Sequence, residues 1–254
     1  MKKEDIDRLA ASHNCIPGIF NYCDRWCERC ALTSRCLSYL MAEEHFGPDT
    51  EACDLTNEIF WQNLADMFKL TIEMIRETAE EMGVDLDAIA DGPETGSREP
   101  DDEGTVTHVV EHLAKSYAGR ADDWFETGCR SLEDRMNNPP LQLADYNEQQ
   151  QAVDAADALA IIRWYQHQIY VKIRRALNSF AERDDGPNDA DGSAKVALIG
   201  IDRSISAWGV LLKLFPESSE GVLPLVTMLE NLRKRLEAEF PQARDFMRPG
   251  FDSV

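Results

Sequence analysis

Basic residues are scarce in this chain. Its 254 residues carry 26 Lys+Arg against 47 Asp+Glu, a formal net charge of −21. Non-specific nucleic-acid binding takes its affinity from Lys and Arg that displace counterions, so the composition argues against that class. Long apolar runs are also missing. The most apolar segment, 196–215, is broken by Asp202, Arg203 and Lys213, whereas a membrane span needs about 20 nearly uncharged residues. The opening MKKEDIDRLAA follows its lysines with acids instead of the apolar core of a secretory signal. These absences predict a cytoplasmic protein that binds neither membrane nor nucleic acid. Alternating strand patterns, a βαβ rhythm and fixed-period repeats are absent as well, which leaves an all-α fold.

The apolar residues that are present recur at helical spacing. Ile59, Leu64, Phe68, Ile72, Ile75 and Ala79 form a stripe that stops at Gly83. Further helices are predicted from about Thr105 past Trp124, from Asn147 to Glu182, from Ser193 to Phe215 and from Gly221 to Phe240. Segment 85–103, with eight acids, two Pro and two Gly, has no apolar period and reads as a solvated linker. The expected organisation is a cysteine-rich, metal- or cluster-binding head at 1–55 and a bundle of about five long helices at 56–254. Acidic linkers fall near 84–104 and 183–192.

Of the seven cysteines, five lie between Cys15 and Cys36, and CDRWCERCALTSRC places four of them in one short segment. Such crowding in a cytosolic chain reads as metal ligation, not as a disulfide scaffold. Asp24, Arg25, Glu28, Arg29 and Arg35 surround the thiols, which is not the pattern of buried cysteines packed as small hydrophobes. Cys23, Cys27 and Cys30 stand at i, i+4, i+7. On a helix they would share a face with neighbouring Cβ atoms about 5–6 Å apart. That spread suits a 4Fe-4S cluster closed by Cys36, with Cys15 as a further candidate ligand. The expected role is redox: electron transfer, sensing or oxidoreductase chemistry, with a redox or other protein partner. The alternative is zinc on the same thiols, stapling a non-enzymatic protein-interaction module.

Two local resemblances accompany the run. Cys23-x3-Cys27-x2-Cys30 is similar in spacing to the radical S-adenosylmethionine motif, which implies an open iron site within a parallel α/β barrel that this chain has no strands to build. Cys27-x2-Cys30-x5-Cys36 resembles the local iron–sulfur staple of RecB-like and CRISPR-associated nucleases, without the carboxylate-bearing sheet of those enzymes.

Two sites are candidates outside the head. His108-Val-Val-Glu111-His112 resembles the HxxEH motif of the inverzincin peptidases, in which two His bind zinc and the Glu activates water. A bundle metal on His108, Glu111 and His112, completed by a carboxylate of a facing helix, is the broader expectation. Residues 163–175 hold four basic residues and no acid in 13 positions. They predict either an ion-pair network, with Asp202 as a partner, or an anionic pocket lined by Tyr165, His167, Tyr170 and Lys172. Ser206 and Gly209 are the small residues expected to let helices approach there.

Overall fold

The computed structural model of the chain describes residues 3–46, 56–86, 108–128, 146–181 and 189–252. Among them are seven α-helices and no strand, so the all-α reading holds. No helix among the described residues is long and apolar enough to cross a membrane. The chain divides into two compact units, Met1–Phe20 with Cys27–Val106, and Asn21–Trp26 with Thr107–Val254. Relative to the expected 1–55 and 56–254 segments, one long helix joins the first unit and a six-residue piece of the cysteine run joins the second.

The first unit contains α1 (Lys3–Ser12), α2 (Leu37–Phe46) and α3 (Glu58–Glu81). Asn57 caps α3, its side-chain oxygen accepting the Ile59 N–H at 3.0 Å. Gly83, with φ +69°, takes the left-handed conformation that ends it. α1 packs on α2 and α2 on α3. Leu70 is buried, but most of the apolar stripe predicted on α3 is not: Phe68, Ile72 and Ile75 are about half exposed.

The cysteine run is not helical, contrary to the one-face expectation. Its backbone passes through short 3₁₀ turns, Ile19–Asn21, Cys27–Arg29 and Thr33–Arg35. Non-glycine residues Asn14 (φ 48°) and Arg25 (φ 58°) and Gly18 (φ 72°) adopt left-handed conformations. A right-handed helix cannot run through such residues, so the i, i+4, i+7 rule does not apply to Cys23, Cys27 and Cys30.

In the second unit α4 (Val109–Thr127), α5 (Tyr146–Ala181), α6 (Asp189–Leu214) and α7 (Ser219–Glu239) close a ring: α4 packs on α5 and α7, α5 on α6, and α6 on α7. The buried positions of α4, Val110, Ala114, Tyr117, Ala121 and Trp124, recur every three or four residues and make its inner stripe. At the centre Trp208 is wholly buried, and its indole N–H donates to the Tyr117 hydroxyl at 3.1 Å. Close helix approach is set by Gly200, not by Ser206 or Gly209. A Cβ on Gly200 would lie 2.9 Å from Tyr165 Cδ1, whereas nothing approaches the corresponding point on Gly209 within 4 Å.

Candidate metal centre

Within the first unit, Cys15, Cys27, Cys30 and Cys36 are half-buried and form no disulfide. Two chain-distant hydrogen bonds bring the ends of this set together. Ile16 N–H donates to the Arg35 carbonyl at 3.0 Å, and Arg35 Nε donates to the Asn14 carbonyl at 3.2 Å. Cys15 and Cys36 consequently feel each other. Desolvation pushes the Cys15 thiol above its usual range, Cys36 pushes it the same way, and the Arg35 guanidinium opposes both. Cys30 N–H donates to the Cys27 carbonyl at 3.1 Å, closing the turn between them, and Cys30 Sγ accepts the Leu32 N–H at 3.4 Å. The Cys36 carbonyl accepts from Tyr39 and Leu40, opening α2.

Cys23 belongs to the helical unit, in a segment held by its neighbours on both sides. Tyr22 lies over Gly192 of α6 and against Phe246, with ring centroids 4.7 Å apart. Asp24 is the hub. Its Oδ2 accepts from the Tyr165 hydroxyl at 2.5 Å and from Arg203 at 2.7 Å. Its carbonyl accepts from Trp164 Nε1 at 2.9 Å and from Gln168 Nε2. Trp26 stacks on Trp164, with centroids 4.9 Å apart and planes 15° from parallel. Burial first, then the hydrogen bond to Asp24 and that carboxylate's charge, raise the Tyr165 hydroxyl pKa, so it stays a proton donor to the carboxylate. Lys172 is buried and its pKa is lowered by desolvation, against which Cys23 acts to hold the charge. Its ammonium donates to the Asn21 carbonyl at 3.4 Å.

The other predicted sites do not assemble. His108 occupies the N-cap position of α4 without a side-chain capping hydrogen bond, and its Nε2 lies 3.4 Å from Glu239. Glu111 takes the Tyr170 hydroxyl at 3.3 Å and stands 3.8 Å from Arg174, and His112 is exposed. Tyr165, His167, Tyr170 and Lys172 serve separate partners: Asp24, Asp122, Glu111 and the Asn21 carbonyl. These side chains are thus held by separate partners and do not line one pocket. Asp202, however, pairs with Arg244 at 2.6 Å and Arg233 at 3.3 Å instead of with α5. A separate cleft of about 380 Å³ lies between α5 and α6, lined by Asp154, Asp157, Ile161, Asp202, Arg203 and Val210 among others.

Among the described residues no three His, Cys, Asp or Glu side chains converge at metal-binding distance. Cys53 and Cys129 lie outside the described residues. Sequence reading missed Asp24, Trp26 and Arg203. An acid and an aromatic beside cysteines were visible, but their partners lie some 140–180 positions away. No protein-family model, curated protein or solved structure matches the chain.

Proposed function

We propose that the thiols of segment 15–36 hold an iron–sulfur cluster and that the protein has a redox role. Cys27, Cys30 and Cys36 supply three thiolates. The fourth is Cys23 on spacing, or Cys15 on its electrostatic contact with Cys36. The observation that carries the reading is the Leu32 N–H aimed at Cys30 Sγ: backbone hydrogen bonds to sulfur stabilise the thiolate and tune a cluster's potential. Trp26, next in sequence to Cys27, stacks on Trp164.

Zinc is the second reading. The Cys27–Cys30 turn is what a tetrahedral thiolate site uses, and the helical face that had favoured a cubane is gone. Anaerobic purification separates the two. Iron and sulfide in equal amounts, with visible absorption that bleaches on reduction, mark the cluster. A colourless protein with one equivalent of zinc replaces it with the staple, and a metal-free protein ends both. Cys15→Ser and Cys23→Ser then identify the fourth ligand by which one loses metal.

A further inference from the structure

Four residues of the apolar stripe of α3, Phe68, Ile72, Ile75 and Ala79, belong to a longer pattern with Trp61, Ala65 and the C-cap residue Met82. Trp61, Ala65, Phe68, Ile72, Ile75, Ala79 and Met82 follow one another at alternating steps of four and three, which is the a/d pattern of a coiled-coil seam sustained for three heptads. Trp61 is 54% exposed, Phe68 60%, Ile72 49%, Ile75 52% and Met82 73%. Only Ala79 is covered, beside the closing turn whose Val84 N–H donates to its carbonyl at 2.8 Å. Leu70, buried within the unit, sits at the f position, opposite the seam.

We propose that this seam binds the same seam of a second copy of the chain, in parallel and in register. The flanking charges select that occupant. From Trp61 onward every acid of α3 lies at b, c or f: Asp66, Glu73, Glu77, Glu80 and Glu81. The e positions are Gln62, Lys69 and Arg76, and the g positions are Leu64, Thr71 and Thr78. In a parallel pair g meets e′ of the next heptad, so Leu64 meets Lys69 and Thr71 meets Arg76 of the other copy without like charges in contact. An antiparallel pair would bring e against e′ and set cations against cations. Taking roughly 150–250 Å² for each of the five large side chains, the aromatic Trp61 and Phe68 and the aliphatic Ile72, Ile75 and Met82, and scaling to these exposures, the seam offers on the order of 500 Å² per copy. A pair would bury about 1,000 Å², the threshold of a specific interface. A patch of about 500 Å² falls at the size of the largest on a typical monomer, and such patches are often functional.

Light scattering on the full chain tests this directly. The expected mass at tens of micromolar is twice 28.7 kDa, and the double variant Phe68→Glu/Ile75→Glu should return one copy, with unchanged helical circular dichroism as the folding control. Thr71→Glu, at an exposed position, should strengthen the dimer several-fold by facing Arg76 of the other copy. A wild type that stays monomeric at 100 µM overturns the proposal, as does a dimer indifferent to the double variant. A Thr71→Glu dimer that is weaker than wild type overturns the parallel orientation, because only g-against-g′ packing makes that glutamate repulsive.

Discussion

The Tyr165 hydroxyl donates to Asp24 Oδ2 at 2.5 Å across 141 positions of chain, and Arg203 donates to the same oxygen from α6. Tyr165 is fully buried, so its hydroxyl has little water to fall back on when the acceptor is removed. Deleting a buried partner costs more than the bond itself contributes, because the remaining group stays desolvated. Asp24→Ala should therefore destabilise the helical unit by about 1–3 kcal/mol, and Tyr165→Phe by less, since Arg203 still holds the carboxylate. Urea unfolding followed by tryptophan emission measures both. Equal midpoints for Asp24→Ala and wild type would show that the segment is not anchored there.

Gly192 tests the same anchor from the other side. A Cβ at this position would stand 2.3 Å from Tyr22 Cε1 and 2.8 Å from Phe246 Cζ, inside any tolerable contact. Gly192→Ala should cost about 1–3 kcal/mol by overpacking and should expose Tyr22 to proteolysis or iodination. Gly209→Ala, where nothing lies within 4 Å, is the matched control and should be neutral or slightly stabilising.

Alkali should find Tyr117. Burial lifts its phenol to about 12, with the Trp208 hydrogen bond working in the opposite direction. The folded pKa is raised, so the contribution to stability is complete below the unfolded value of about 10 and is lost as pH climbs from there through about 12. The stability difference between wild type and Tyr117→Phe should shrink over that window. A difference that stays constant from pH 9 to 12 would show a tyrosine that titrates normally.

Acid should find Asp252. Hydrogen bonds from Arg248, assisted by one from Lys195, hold its carboxyl well below the usual carboxylate range. Here the folded pKa is depressed. The contribution is present above the unfolded value of about 3.9 and disappears as pH falls through the folded one. Asp252→Asn should cost about 1–2 kcal/mol at neutral pH and leave a flatter stability profile below pH 4, measured by denaturant titration at stepped pH.

The helices were legible because their signals are local. The three-to-four spacing through Val110, Ala114, Tyr117, Ala121 and Trp124 needs only neighbouring residues, and Gly83 and Gly128 mark where helices stop. The conformation of the cysteine run was not legible, because i, i+4, i+7 is helical spacing only if φ stays negative, and Arg25 breaks that condition. The α3 stripe read as core for a related reason: periodicity reports that a face is apolar, not what covers it. Asp202 could be recognised as an acid in need of a cation. That its cations are Arg233 and Arg244 depends on how α7 and the following turn fold back on α6.

The long reach of the Asp24 anchor also sets a clock. Arg203 is made 179 positions after Asp24, and at about 5–20 residues per second that interval is roughly 9–36 s. Until then the nascent chain presents Asp24 without the Arg203 guanidinium that pairs with its carboxylate. Residues 21–26 have their widest exposure during synthesis, before Tyr165 and Arg203 exist to hold Asp24 still.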